Sequence, residues 1–125
     1  EAFLTGAINW STDTIKAVLV DTGAYTVNIS THQFLADIAA GARIATSAAL
    51  SSKTVAAGVA DAADSLFTAV SGASVEAVVL YKDTGTAGTS NLIAYIDTAS
   101  GLPVTPNGGD ITVAWDNGAN KIFKL

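Results

Sequence analysis

Two apolar runs separated by a short polar linker constrain the fold more than any other feature of this sequence. The first run spans residues 76–83 (EAVVLYKD) and the second spans residues 91–97 (NLIAYID). Both are rich in β-branched and aromatic residues and neither has a helical period, so each is predicted to form a strand. Residues 84–90 (TGTAGTS) have the composition of a hairpin loop. Because the apolarity is continuous rather than alternating, we expect an antiparallel hairpin buried on both faces, in the middle of a sheet.

Segments elsewhere in the chain also have the character of strands. Residues 14–21 (TIKAVLVD) form one such run, and residues 110–116 (DITVAWD) alternate apolar and polar side chains. The dipeptide Asn117-Gly118 predicts a turn, after which residues 121–125 (KIFKL) are predicted to form a final strand. The strands at residues 110–116 and 121–125 are therefore predicted to pair as a second hairpin. With little helical signal, the sequence predicts an all-β protein, specifically an antiparallel β-sandwich.

Two segments are less clearly determined. Hydroxyl residues before an apolar stretch predict one short helix near residues 31–38. Within residues 42–73, some apolar residues recur at helical spacing, namely Val55, Val59, Ala62, Leu66 and Val70. Gly58 and the β-branched content of this segment oppose a helix, and the neighbouring sequence is β. We therefore favour strands for residues 42–73, with a partly helical segment as the alternative.

The composition excludes several classes of partner. Charged residues make up 14% of the chain, against about 25% in an ordinary soluble domain. The net charge is −5 and the six Lys and Arg residues are spread along the chain, which argues against nucleic acid and anionic membranes as partners. Cysteine is absent, so we expect no disulfide, no thiol nucleophile and no Cys-based metal site. The sequence contains no complete phosphate-binding or metal-binding motif, so no cofactor is expected. A surface of Thr, Ser, Ala and Gly suits a subunit that packs against other proteins, and a homo-oligomer is expected.

The first ten residues are predicted to behave differently from the rest of the chain. We expect residues 1–10 to form an N-terminal arm and residues 11–125 to form a single β-sandwich domain. Apolar side chains close to a terminus seldom find room in their own core, so the arm is predicted to lie across a neighbouring subunit. The predicted interface residues are Phe3, Leu4, Ile8 and Trp10. Because the sequence starts with Glu rather than Met, further residues are expected to precede Glu1.

One short motif suggests an enzyme. Residues 18–24 (VLVDTGA) resemble the active-site signature of aspartic proteases, which in the retroviral type is contributed by both copies of a dimer. Two Asp21 carboxylates sharing one proton would activate a water molecule. However, the later hydrophobic-hydrophobic-Gly element of that family is missing, and a second Asp-Thr-Gly occurs at residues 83–85 in the same strand-then-turn context. This repetition favours turn chemistry, with Asp bonding local amides and Gly supplying positive φ. We expect no enzymatic activity, with the protease as an alternative.

The remaining polar and aromatic candidates favour structural roles. His32 is the single histidine and no nucleophile-elbow motif accompanies it, so we expect a half-exposed structural residue. Tyr81 and Tyr95 lie on the two strands of the predicted hairpin. A cross-strand core pair is favoured over a carbohydrate-binding platform.

Six runs together resemble a known family. They are residues 14–21, 42–46, 81–85, 92–97, 107–115 and 121–125. In order and over nearly the whole chain, they resemble a family of small proteins encoded by tailed bacteriophages. The resemblance implies a virion component and no catalytic residues. We expect a capsid decoration or cement subunit that stabilises the shell by bridging neighbouring subunits, with the major capsid protein or other virion proteins as partners. A tail, neck or fibre component is the alternative.

Overall fold

The protein is built from short antiparallel strands. The computed structural model describes residues 6–26, 31–96, 103–113, 115 and 122–124. In chain order the strands are β1 (Ile15–Val20), β2 (Arg43–Thr46), β3 (Thr54–Ala56), β4 (Val59–Asp61), β5 (Ser65–Phe67), β6 (Ala77–Lys82), β7 (Leu92–Ile96), β8 (Ile111–Val113) and β9 (Phe123–Lys124). Every pairing between the described strands is antiparallel. The predicted all-β class is confirmed.

The largest sheet contains the predicted hairpin. Its strand order is β2-β1-β6-β7. Strands β1 and β6 pair over their full length, from Ile15 opposite Lys82 to Val20 opposite Ala77. Residues 77–81 of β6 are all buried, whereas every residue of β7 is only partly buried. The expectation of a central, doubly buried hairpin therefore holds for β6, while β7 lies at the edge of the sheet.

The main sheet is covered on both faces. Alternation along β1 directs Ile15, Ala17 and Leu19 to a core that also contains Phe67 of β5 and Trp115. Residues on the opposite face of the sheet pack in a second core with Tyr25, Leu35, Ile38 and Ala42. The small sheets thus form the second layer of the sandwich, and loop residues cover the other face. Burial on both sides explains why β1 and β6 read as continuous apolar runs.

The second layer contradicts one predicted pairing. Its sheets have the strand orders β3-β4-β9 and β5-β8. Strand β9 pairs with β4, with Phe123 opposite Ala60, and β8 pairs with β5, with Val113 opposite Ser65. The predicted β8–β9 hairpin is therefore wrong, because consecutive segments β4 and β5 provide the partners for both strands. The Asn117-Gly118 turn lies outside the described residues.

The predicted helix near residues 31–38 is also wrong. The chain there makes only a 3₁₀ turn at Leu35–Asp37. The reason is tertiary pairing: the Leu35 N–H donates to Ser90 O, and the Leu92 N–H donates to Gln33 O, so these backbone groups are not available to a helix. Residues 42–73 contain β2–β5, which confirms strands over helix. Within the described ranges, no helix is long and apolar enough to cross a membrane.

Candidate functional site

The two Asp-Thr-Gly tripeptides form the same kind of turn. After β1, Asp21 Oδ1 accepts a hydrogen bond from the Gly23 N–H at 2.9 Å; after β6, Asp83 Oδ1 accepts one from the Gly85 N–H at 3.0 Å. The predicted bonding of Asp to a local amide is confirmed at both turns. The predicted positive φ is found at Gly85, at +85°, but not at Gly23. A Cβ on Gly23 would lie 3.1 Å from Asp21 Oδ1.

A second carboxylate, that of Glu76, accepts hydrogen bonds from the turn that follows β1. Glu76 Oε1 accepts hydrogen bonds from the Thr22 N–H at 3.0 Å and from the Thr22 hydroxyl at 3.2 Å. Glu76 Oε2 accepts one from the Ser74 hydroxyl at 2.6 Å. The Ser74 hydrogen bond is the main cause that lowers the pKa of Glu76, with smaller contributions from Thr22 and Asp21. These bonds fasten the end of β1 to the start of β6, which is a structural role. A catalytic role for Asp21 stays a prediction, since it requires a second copy of the chain.

The predicted arm residues Ile8 and Trp10 lie in the protein's own core. Their side chains are 5% and 4% exposed, and they pack with the face of the main sheet that the second layer covers. The Trp10 Nε1–H also donates to the carbonyl of Asp61 at the end of β4. The premise that these two side chains lack room in their own core is therefore wrong. Phe3 and Leu4 lie outside the described residues.

Charged side chains hold both ends of residues 7–13, which we call the N-terminal strap. Lys82 Nζ donates to the carbonyl of Ala7 at 2.8 Å and lies 3.2 Å from Asp13 Oδ2. The ammonium group of Lys53 donates to the carbonyl of Asp13. The Asn9 N–H donates to Asp13 Oδ2 at 2.7 Å and is the main cause that lowers the pKa of Asp13. The strap is thus fastened to β6 and to the segment before β3.

The clearest candidate interaction surface is the outer edge of β3. This strand is last in its sheet and pairs only with β4. All three of its residues are exposed, and none of them is charged. Val55 is 55% exposed although Ala60, which lies opposite it, is buried. Among the described residues, Val55 and Leu66 are the large hydrophobic side chains that remain exposed. An uncharged, uncovered edge of this kind is a template for pairing with another chain.

A tight turn joins β3 to β4. Ala57 has φ 52° and Gly58 has φ 78°, which are the two positive values of a type I′ hairpin turn. Glycine or asparagine is the usual residue at the first position, so alanine is held there at some cost in backbone energy. This hairpin was not predictable from the local sequence, because Val55 and Val59 also fit a helical spacing.

The other predicted site residues have structural surroundings. The Tyr25 hydroxyl and His32 Nδ1 are 2.7 Å apart, and their rings are in contact. Tyr81 is 3% exposed and belongs to the second core, against which Tyr95 also packs. Tyr81 lies opposite Leu92, and Tyr95 lies opposite Val79, so the two tyrosines are diagonal neighbours rather than a direct pair.

Comparison with known proteins adds no assignment to these features. No protein-family model matches the chain. No curated protein matches it. In the part of the chain that the structure describes, no three His, Asp or Glu side chains are grouped as a metal ion would need. The candidate site is therefore defined by the open β3 edge.

Proposed function

We propose that this protein is a structural subunit of a tailed-phage virion. We assign it to the capsid as a decoration or cement subunit that attaches in many copies and bridges neighbouring shell subunits. The resemblance of six sequence runs to small phage proteins supports the assignment to a virion. The observation that carries the attachment role is the open, uncharged edge of β3, with Val55 exposed beside it.

Strand pairing explains how such a surface would attach. Natural proteins protect edge strands by keeping them very short or with charge, proline or a covering segment. Strand β3 is short, at three residues, but has neither charge nor proline. A strand of a capsid protein beside β3 would pair the outward N–H and C=O groups and cover Val55. Burying the exposed half of a valine side chain contributes on the order of 1 kcal/mol. Each contact is therefore weak, and stable attachment requires that one subunit makes more than one of them.

The attachment surface differs from the one expected from the sequence alone. Ile8 and Trp10 are buried in the core of their own chain, so they present no apolar surface to a neighbour. The β3 edge is therefore the attachment surface that we propose instead of these two side chains. Residues 7–13 then serve to close the sandwich rather than to reach across the shell.

Reconstitution on particles tests the proposal. Particles made without this protein are mixed with purified chain, and occupancy is measured by cosedimentation and quantitative mass spectrometry. The Val55→Lys variant is expected to lower occupancy at least tenfold, because a charge would be buried at the contact. Thr112→Lys, at an exposed position of β8, is the matched control with the same added charge.

Each outcome of this experiment has a distinct meaning. Hundreds of copies per particle agree with a shell protein, and a dozen or fewer favour the tail, neck or fibre alternative. Equal occupancy of Val55→Lys and the wild type would remove β3 as the attachment surface. If the wild-type chain does not bind particles at all, the virion assignment fails.

A further inference from the structure

Arg43 is the single arginine of the chain. Its Nε is buried and makes no hydrogen bond. The ion pairs between described residues join Lys16 to Asp83 at 2.8 Å and Lys82 to Asp13 at 3.2 Å, and neither involves Arg43. Within the described residues, the Nε–H of this partly buried arginine is therefore left without an acceptor, in a chain whose net charge is −5.

A buried Nε–H without an acceptor would be stabilised by an anion that another molecule supplies. Burying a charged donor without an acceptor costs free energy, and the cost is recovered when a carboxylate arrives from another molecule. The planar guanidinium binds a carboxylate through two parallel N–H bonds, which a lysine does not reproduce. Arginine is for this reason enriched at protein interfaces.

Arg43 stands at the open edge of the main sheet. It is the first residue of β2, the last strand in the order β2-β1-β6-β7. It lies opposite Val20, which belongs to the second core, so it is on that face of the sheet. Burial raises the pKa of the Tyr81 phenol, and the charge of Arg43 is among the groups that oppose this rise. The guanidinium therefore acts on the same face of the sheet as Tyr81.

The backbone of β2 offers hydrogen bonds along the same edge. The Ser47 N–H donates to Ala17 O at 2.8 Å, so Ser47 and Ala17 form a hydrogen-bonded pair of the ladder. In an antiparallel ladder such pairs alternate with pairs whose backbone groups point away. Thr46, opposite Val18 and exposed, therefore directs its N–H and C=O away from β1.

We propose that the β2 edge binds an extended acidic segment of a partner protein by strand addition, with an Asp or Glu carboxylate of that segment paired to Arg43. This inference rests on the proposed function for the identity of the partner as a virion protein. It also supplies the second contact that a bridging subunit needs. The β3 edge and the β2 edge belong to different sheets, so one subunit can engage two neighbours.

Three variants test the role of this edge in the particle-binding assay. Arg43→Gln is expected to bind at least tenfold more weakly, and Arg43→Lys is expected not to restore full binding, because a lysine lacks the bidentate geometry. Thr46→Pro removes the outward N–H without breaking a bond to β1 and is expected to block strand addition. Lys16→Gln is the matched control, since it removes the same charge from a lysine that is already paired with Asp83. Circular dichroism and thermal unfolding verify that each variant is folded.

A spectroscopic titration tests whether Arg43 binds a carboxylate, without the need for virus particles. With one arginine in the chain, the Arg43 Nε–H gives a single arginine resonance in a ¹⁵N spectrum. A capped pentapeptide of alternating Thr and Glu is expected to shift this resonance, and the same peptide with Gln is not.

The two experiments separate the two proposals. If Arg43→Gln binds particles like the wild type, the acidic-segment inference is overturned while the virion assignment stands. If the wild-type chain does not bind particles, the virion assignment fails and the peptide titration decides the inference. Equal responses to the Glu and Gln peptides in that titration overturn it.

Discussion

Replacing Trp10 with alanine tests whether the N-terminal strap stabilises the fold of its own chain or serves as a binding arm. A tryptophan in a free arm would contribute little to the stability of the domain and much to binding. Trp10 is instead 4% exposed, packs in the core, and donates its Nε1–H to Asp61 O at 3.2 Å. We therefore expect Trp10→Ala to act on folding.

The magnitude follows from these contacts. Truncating a buried tryptophan to alanine costs about 3–5 kcal/mol, and losing the hydrogen bond to the Asp61 carbonyl costs about 1 kcal/mol more. The sum is comparable with the total stability of a typical domain, about 5–15 kcal/mol. Trp10→Ala is thus expected to be marginally folded. Trp10→Phe keeps an aromatic ring in the core and is expected to lose a smaller part of this stability.

Urea unfolding measures the effect directly. Trp115, which is 7% exposed in the folded state, remains as a fluorescent reporter in both variants. An unchanged slope with a lower midpoint would show a change in stability rather than in the unfolded state. If Trp10→Ala lowers the free energy of unfolding by less than about 1 kcal/mol, the strap does not belong to the core. The hypothesis of an N-terminal arm that binds a neighbouring subunit would then be favoured again.

Two further perturbations test the β3–β4 turn and the hydrogen bonds of Glu76 with Ser74 and Thr22. Ala57→Asn is expected to raise the free energy of unfolding by about 0.5–1 kcal/mol, measured from the urea midpoint, because Asn tolerates the positive φ that Ala57 adopts; the same exchange at Ala56, which lies within β3, should give no such gain. The pKa of Glu76 is lowered in the folded state, so its contribution to stability is present above its ordinary value of 4.5 and is lost as the pH falls below it. We expect the melting temperature to fall on acidification and this fall to be shallower in Ser74→Ala, which removes the main cause of the shift; identical pH profiles would contradict the role assigned to Ser74.

The strands of the main sheet were predictable because local sequence determines them. Residues 14–21 and 76–83 each form an uninterrupted apolar run, and both contain strands, β1 and β6, that are buried on two faces. The Asp-Thr-Gly turns were equally predictable, since an Asx side chain bonding a nearby N–H requires only three residues. These features depend on neighbours in the sequence.

Features that depend on distant contacts were not predictable. The hydroxyl residues before Phe34 have the composition of a helix start, but pairing with Asn91 takes up the backbone there. Strand β9 was recognisable as a strand, whereas its pairing with β4 rather than with β8 is a property of the whole fold. Likewise, nothing in the local sequence shows that Trp10 is buried or that the Nε of Arg43 lacks an acceptor among the described residues.

The pairing of β9 with β4 and of β8 with β5 has a consequence for biosynthesis. The ribosome releases β1–β7 before the chain that completes the second layer. Until residues 111–124 emerge, the nascent chain presents the apolar face of β1 and β6 without Ile111, Val113 and Trp115, which later pack against it. Pairings between distant segments also form slowly, and exposed apolar surface in such an intermediate promotes aggregation. Production of this protein should therefore benefit from slow synthesis, low temperature or abundant chaperones.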